Sequence, residues 1–171
     1  MSMSGTFHVE PRGDLEIFIT REFDAPRKLV WDTMTKPELI RRWLYAPEGW
    51  EMTVCEGSVV VGGTFKWAWN GPDGKPALQI SGVNKEVVVP EKLVHTEVMK
   101  MWGPGFPPEG MELGELLATM TLSEKNGRTT MEMTLAFASE EARDGALASG
   151  MAQGMSAGYL TLDAMLAEKS A

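Results

Sequence analysis

The sequence predicts an α+β protein in which an antiparallel sheet of about six to seven strands packs against a long C-terminal helix. Apolar and polar residues alternate through most of the stretch 50–137, which is the period of strands that bury one face. An apolar stripe with helical spacing follows, formed by Met151, Met155, Tyr159, Leu162 and Leu166. Ahead of the alternating stretch, residues 15–44 indicate one strand and then two short helices. Helices therefore precede and follow the sheet along the chain.

The length of the chain, 171 residues, is that of one domain with a sizeable core. We expect this single domain to span residues 14–169. Residues 1–13 lack the apolar segment of a signal peptide, and we expect them to form a flexible tail.

Charge and cysteine content restrict the partners and the compartment. The formal net charge of −8 repels phosphate, which argues against nucleic acid and anionic membrane surfaces as partners. The single cysteine, Cys55, cannot form an intramolecular disulfide and favours a reducing compartment. No apolar run approaches the ~18 residues of a membrane-spanning helix. We therefore expect a cytoplasmic protein that does not insert into membranes.

The first predicted elements are a strand over residues 15–23 and two closely joined helices. Asp24 stands where an N-cap residue belongs, and Pro26 falls in the first helical turn, where its missing N–H costs little. A second helix begins at "KPELIRRWL", again with proline near its start.

The alternating stretch divides into six predicted strands. They cover residues 50–56, 58–70, 77–89, 92–99, 116–124 and 128–137. Gly62 and Gly63 indicate a bend of the kind that a curved sheet needs, and Asn126-Gly127 predicts a tight hairpin. Between two strands, residues 102–115 hold four glycines and three prolines. We expect this long loop to act as a lid or rim.

The C-terminal segment is predicted to be helical from Ser139, a suitable N-cap residue. Three glycines, Gly150, Gly154 and Gly158, recur at a spacing of four beside the apolar stripe. Each costs about 1 kcal/mol relative to alanine in a helix interior, so a structural gain must offset them. Either the helix backbone approaches the sheet closely here, or the glycines leave room for a ligand.

Large apolar side chains gather on the predicted inner face of the sheet. Phe65, Trp67 and Trp69 alternate on one strand and share a face, where they either fill the core or wall a ligand cavity. The same two interpretations apply to the methionines of the sheet and helix, since methionine fills cores and adaptable pockets alike. The predicted ligand-binding set adds to the three aromatics Met120, Met131, Met133, Met151, Met155 and Tyr159.

Signals for catalysis are weak. The chain has no GxSxG, HExxH, phosphate-loop or dinucleotide motif, so we predict no catalytic residue and no cofactor. His95 is the possible polar group of the pocket, although a hydrogen-bonded strand histidine is the simpler interpretation. It has no cysteine or carboxylate at metal-ligand spacing, and we predict no metal site. Four acidic residues, Glu86, Glu97, Glu132 and Asp163, are predicted to be solvated.

Several sequence stretches resemble one known family. They are "FDAPRKLVWDTMTKPELIRRWL", "GSVVVGGTFKWAWNGPDGKP", "ISGVNKEVVVPEKLVHTE" and "GMAQGMSAGYLTLDAMLAE". Together they resemble the AHSA-type family, the homologues of the activator of the heat-shock-protein-90 ATPase, within the START-like (SRPBCC, birch-pollen-allergen-like) superfamily. The resemblance covers residues 15–169. It implies a helix-grip fold, with a curved sheet wrapped around the C-terminal helix and an apolar cavity between them.

The resemblance implies no catalytic motif, and chaperone activation does not carry over because the chain has no room for a separate chaperone-binding domain. We therefore predict binding of a small hydrophobic molecule, aromatic or lipid-like, between the sheet and the C-terminal helix. Two alternatives remain open. One is a cyclase- or hydrolase-type enzyme that uses the same cavity. The other is a co-chaperone-like interaction module, acting through a protein partner or as a homodimer, with Trp102, Phe106 and Met111 as its surface.

Overall fold

The computed structural model describes residues 4–170. Helices span Arg27–Thr35 (α1), Pro37–Trp43 (α2), Glu140–Ala148 (α3) and Met151–Ser170 (α4), and a 3-10 turn spans Ser4–Thr6. The strands are His8–Arg12 (β1), Glu16–Phe23 (β2), Glu51–Gly57 (β3), Thr64–Asn70 (β4), Pro76–Val88 (β5), Lys92–Met101 (β6), Met111–Glu112 (β7), Leu116–Lys125 (β8) and Arg128–Ala136 (β9).

All nine described strands belong to one antiparallel sheet in the order β1-β2-β9-β8-β6-β5-β4-β3, with β7 paired to the end of β6. Register shifts interrupt the β3–β4, β4–β5 and β5–β6 pairs. Such bulges bend a sheet, which lets this one curve over the helices. The predicted α+β helix-grip architecture is confirmed, with more strands than the six to seven expected.

The two additional strands are β1 and β7. β1 pairs along its whole length with β2, from His8 opposite Thr20 to Arg12 opposite Glu16. The prediction of a loose tail over residues 1–13 is therefore wrong for residues 8–12, whose backbone extends the sheet. Residues 1–3 of that predicted tail lie outside the described residues.

The main core lies between α4 and the inner faces of β2, β8 and β9. Direct partners across antiparallel strands share a face, so Ile19, Met133 and Met120 stand side by side in three neighbouring strands. Deeply buried apolar residues of this core include Ile17, Ile19, Phe23, Ala118, Met131, Leu162 and Leu166. The C-terminal helix is thus held by the half of the sheet that β2, β8 and β9 form.

Two helix boundaries differ from their predictions. Helix α1 has Pro26 rather than Asp24 at its N-cap, and no side chain caps it. The predicted single C-terminal helix is two helices, because the backbone turns at Gly150, whose φ of +84° favours glycine. The Ser139 N-cap is confirmed: its hydroxyl accepts a hydrogen bond from the N–H of Ala142 at 3.1 Å.

Two glycines on α4 accommodate the chain at the end of α2. A Cβ at Gly158 would lie 3.1 Å from the carbonyl oxygen of Trp43, and one at Gly154 would lie 3.3 Å from the ring of Tyr45. Close approach to the sheet, the first of the two explanations that the sequence left open, is therefore wrong at these positions. The close neighbour is a backbone carbonyl at Gly158 and an aromatic side chain at Gly154.

None of the described helices combines the length and the apolarity needed to cross a bilayer.

Candidate ligand-binding site

A cavity of about 60 Å³ lies between the α1–α2 pair and the inner face of strands β3 to β6. Its walls are mainly apolar. The lining residues are Thr35, Pro37, Ile40, Glu56, Gly57, Ser58, Val59, Phe65, Trp67, Asn84, Leu93 and His95. This volume holds about four water molecules and is well below the ~150 Å³ of a cavity that accepts benzene. A ligand larger than a few heavy atoms therefore requires one wall to move.

Two aromatic rings form the sheet side of the cavity. The centroids of Phe65 and Trp67 lie 4.9 Å apart with a tilt of 43° between the ring planes. Gly82 pairs with Phe65 on the next strand, and a Cβ there would collide with the backbone carbonyl of Thr96 and lie 2.8 Å from a ring carbon of Phe65. Glycine at this position accommodates both the backbone of β6 and the Phe65 ring. The predicted aromatic wall is therefore present in two of its three members.

His95 brings a polar group to the same cavity. Its Nε2 lies 2.9 Å from Oε1 of Glu97, which follows two residues later on the same face of β6. The ring meets Phe65 edge to face, with 5.1 Å between centroids. Its other nitrogen, Nδ1, is buried and has no hydrogen-bond partner within the described residues. The pair combines a hydrogen-bonding carboxylate with an imidazole in a mainly apolar cavity lining.

The segment 58–63 covers one side of the cavity, and we call it the flap. The sequence predicted a strand here, but the strand begins only at Thr64. Three hydrogen bonds hold the flap to Asn84: its side-chain Nδ2 donates to Ser58 O (2.8 Å), its N–H donates to Gly63 O (2.9 Å), and its carbonyl accepts from the N–H of Gly62 (2.8 Å). Val59 of the flap lines the cavity.

The other predicted binding residues lie elsewhere in the part of the chain that the structure describes. Trp69 is buried on the same strand face but does not line the cavity. Met120 and Met131 are buried in the main core, and Met133, Met151 and Met155 pack against it. The predicted site is thus split between a packed core under α4 and a cavity under α2. Ligand contact by these methionines stays a prediction.

Tyr159, predicted as a ligand-binding residue, is enclosed by aromatic rings. Phe7, Phe23 and Trp43 surround it with centroids 5.5–5.9 Å away. Its hydroxyl lies 3.8 Å from the sulfur of Met131, to which it donates a weak hydrogen bond. Burial raises the pKa of the Tyr159 hydroxyl above its ordinary value of 10, so the neutral form is favoured.

A buried ion pair joins the sheet to α4 close to Tyr159. Arg21 on β2 is 1% exposed and donates from Nη1 and Nη2 to the two carboxylate oxygens of Asp163, at 2.6 and 2.7 Å. The guanidinium carbon of Arg21 also lies 4.7 Å from the ring centre of Phe23. This bidentate pair fixes the position of the helix relative to the strand.

Sequence reasoning missed both polar pairs, although a signal for each was present. Glu97 and Asp163 were predicted to be solvated, and both are half-buried and paired. Glu97 follows His95 by two positions in a strand, the spacing at which side chains share a face. Arg21 falls in the alternation of Ile17 and Ile19, so the pattern itself placed it on the buried face.

The long loop 102–115 folds back on its own tryptophan. A Cβ at Gly110 would lie 2.6 Å from the indole of Trp102, and the ammonium of Lys100 lies 5.1 Å from the centre of that ring. Strand β7 within the loop pairs with Lys100 and Met101. The loop contributes no residue to the cavity lining. Its role as a lid or rim stays a prediction.

No group of three or more histidine, cysteine, aspartate or glutamate side chains among residues 4–170 is arranged to hold a metal ion. The thiol of Cys55 lies 3.3 Å from the carbonyl oxygen of Pro37, to which it donates, and partial burial raises its pKa. A raised pKa disfavours the reactive thiolate.

Comparison with protein families gives one decisive match. The family described as "Activator of Hsp90 ATPase homolog 1-like protein" matches residues 24–167, most of the chain. The chain belongs to this family. A search of curated proteins gave no match.

Several solved structures are similar to this AHSA1-like chain in sequence and fold. A crystal structure from Rhodobacter sphaeroides is 31% identical, with a TM-score of 0.79, and covers 95% of this chain and 98% of its own. A solution structure from Arthrobacter aurescens is 28% identical, with a TM-score of 0.75, and covers 94% and 91%. A Mycobacterium smegmatis protein at 23% identity, with a TM-score of 0.75, covers 95% and 98% and shares the fold.

Proposed function

We propose that this AHSA1-like protein binds a small hydrophobic molecule, aromatic or lipid-like, in the cavity under α2. The observation that carries the proposal is the pair of aromatic rings, Phe65 and Trp67, which line the cavity on its sheet side. Ligand pockets typically combine apolar and aromatic walls with a few polar groups, as His95 and Asn84 provide here. Membership of the family supports the proposal, because it suggests a ligand-binding helix-grip domain.

A ligand larger than a few heavy atoms requires one wall of the cavity to move, and the flap is the wall that we expect to move. It is attached by only a few hydrogen bonds centred on Asn84, and its tip residues Val60 and Val61 are exposed. Displacing Val59 outward would enlarge the cavity and would break the packing of Val59 against the core. The ligand would then take the place of Val59 in the cavity lining.

Titration with 4-ethylanisole, an apolar aromatic probe without a hydrogen-bond donor, tests the proposal. We expect saturable shifts of backbone amide resonances in β4, α2 and the flap. Trp67→Leu should weaken binding at least several-fold, because it removes one wall. Trp69→Leu is the matched control: it removes the same indole from the same strand face, at a position outside the cavity lining. Unchanged spectra in the wild type, or equal losses in the two folded variants, would contradict the proposal.

The two alternatives have less support. The interaction surface predicted at Trp102, Phe106 and Met111 is only partly accessible, since Met111 is 41% exposed and the two aromatics are half-buried. A co-chaperone-like role and a homodimer stay predictions. An enzyme would need a group able to accept a proton in the cavity, and His95 is the residue that occupies such a position.

A further inference from the structure

His95 lines the cavity and holds an unused hydrogen-bonding position. The residue is 9% exposed, and its Nδ1 is buried without a partner in the described part of the chain. Buried polar atoms in proteins are nearly always paired, so an orphaned ring nitrogen on a residue of the cavity wall points to a group that comes from outside. The ring is held by its edge-to-face contact with Phe65 and by its bond to Glu97.

Glu97 determines what this nitrogen can do. An ionised carboxylate only accepts hydrogen bonds, so the ring nitrogen that faces it, Nε2, must carry the proton. In a neutral imidazole the other nitrogen then presents a lone pair. Nδ1 is therefore an acceptor, and its partner must be a donor.

The surroundings restrict the chemistry of that donor further. An anion would meet the Glu97 carboxylate and the net charge of −8. A cation would lose its hydration against the mainly apolar walls, where Glu97 is already engaged with the histidine and the other carboxylate of the lining, Glu56, is exposed to water. A neutral hydroxyl group avoids both the repulsion that an anion would meet and the loss of hydration that a cation would suffer. Phe65 and Trp67, next to His95, offer ring faces to a flat apolar body.

We infer that the ligand is a neutral hydroxylated aromatic molecule of the phenol class, whose O–H donates to Nδ1 of His95 while its ring packs on Phe65 and Trp67. The inference rests on the proposed function, because it concerns the same cavity. Glu97 acts as a positioning residue that keeps the acceptor nitrogen facing the ligand. The flap must still open for a ring to enter.

The test compares two probes that differ only at the donor, 4-ethylphenol and 4-ethylanisole. The wild type should bind the phenol about tenfold more tightly than the ether, which equals about 1.4 kcal/mol. His95→Phe keeps a ring of similar size but lacks the acceptor, and it should bind the two probes with equal affinity. Affinities are measured by calorimetry or by chemical-shift titration on variants that keep the wild-type circular dichroism spectrum.

A second measurement does not depend on a variant. The chain has two histidines, His8 and His95, so their ring nitrogens can be assigned in a long-range ¹H–¹⁵N spectrum. The Nδ1 resonance of His95 should shift when 4-ethylphenol is added and should move much less with 4-ethylanisole. His8 lies on the exposed edge strand β1 and serves as the internal control.

The outcomes separate this inference from the proposed function. If neither probe binds, the proposed function fails and the inference fails with it. If both probes bind equally to the wild type, the apolar site stands and the hydroxyl assignment is overturned. If the phenol is preferred but His95→Phe keeps the preference and the Nδ1 resonance does not respond, the hydroxyl contacts a residue other than His95, and the assignment is again overturned.

Discussion

Polar side chains on the buried face of the sheet are held by partners that match their chemistry. Arg21 meets a carboxylate with two parallel hydrogen bonds, and the hydroxyl of Tyr159 contacts the soft sulfur of Met131. His95 and Arg21 each keep one buried nitrogen without a partner among the described residues, Nδ1 in the histidine and Nε in the arginine. Only His95 lines the cavity, and this position distinguishes it from the polar residues of the core.

Tyr159 should make the stability of the protein depend on alkaline pH. Because its pKa is raised in the folded state, the unfolded chain loses this proton first as the pH passes 10. The free energy of unfolding should then fall by up to about 1.4 kcal/mol per pH unit. The stabilisation is fully present below pH 10 and decreases above it. Urea unfolding of the wild type and Tyr159→Phe at pH 9, 10 and 11 measures the effect, which the variant should lack.

Tyr45 offers the control for this measurement, since its side chain is 49% exposed. Tyr45→Phe should show the same alkaline loss as the wild type. The thiol of Cys55 contributes a loss of the same sign, because its pKa is raised as well, and this contribution is common to all three proteins. An equal pH dependence of Tyr159→Phe and the wild type would contradict the argument.

Single residues also mark the limit of what the sequence could predict. Phe65, Trp67 and His95 were found from alternation and residue type, and the structure places all three at one cavity. The methionines were predicted from residue type in the same way, but they lie in the core. Which part of the sheet the C-terminal helix covers depends on tertiary packing. Periodicity predicts which face of the sheet a residue occupies, but it does not predict which residue of another element packs against it.

Among the elements, α4 is attached to the sheet by charge as well as by apolar packing. Breaking one side of the Arg21–Asp163 pair leaves the other charge without its partner. We expect Arg21→Met to lower the free energy of unfolding by about 3–5 kcal/mol, because the Asp163 carboxylate then stays half-buried and unpaired. Chemical denaturation monitored by circular dichroism gives this value.

The double variant Arg21→Met, Asp163→Leu distinguishes the pair from ordinary packing. Removing both charges removes both desolvation costs, so it should recover most of the lost stability. A double variant less stable than Arg21→Met alone would show that the ion pair is not the cause.

Substitution of two glycines in the C-terminal helices by alanine should change the stability in opposite directions. At Gly145 in α3 a Cβ meets no atom within 4 Å, so Gly145→Ala should stabilise by about 0.5–1 kcal/mol through helix propensity. At Gly158 the Cβ would press on the backbone carbonyl of Trp43, which cannot rotate away as a side chain could. Gly158→Ala should therefore destabilise. Thermal denaturation of the two variants checks the opposite signs.

The sequence could not separate these glycines, because a spacing of four is equally compatible with a helix contact, a ligand channel and a helix end. Gly150 ends a helix and Gly158 accommodates a neighbouring backbone. The turn glycine at residue 127 was predictable because Asn-Gly has a local conformational preference. Asn126 and Gly127 adopt φ values of +54° and +75°, as the hairpin requires.

Across the whole molecule, the two halves of the sheet differ in how deeply they are buried. The inner faces of β2, β8 and β9 meet α4 and hold most of the fully buried residues, whereas β3 and β4 are largely half-buried. Opening of a folded protein begins where few apolar contacts oppose it. The cavity therefore lies in the half that can open at lower cost.

Hydrogen exchange followed by mass spectrometry should show this asymmetry. Amides of β2, β9 and α4 should exchange only on global unfolding, while those of β3 and the flap should exchange at least ten times faster. Asn84→Ala should accelerate exchange in the flap further, because it removes the bond to Ser58. Uniform protection over both halves of the sheet would contradict the prediction.

The match to the family begins at residue 24, after the end of β2. A protein trimmed to residues 24–167 would lose β1 and β2 together, and with them Arg21 and the apolar side chains that close the core beside β9. The backbone edge of β9 would then be open to strands of other chains, which is a route to aggregation. β1 protects the natural edge by being short, exposed and interrupted by Pro11. The segment that the family model matches is therefore shorter than the unit that folds.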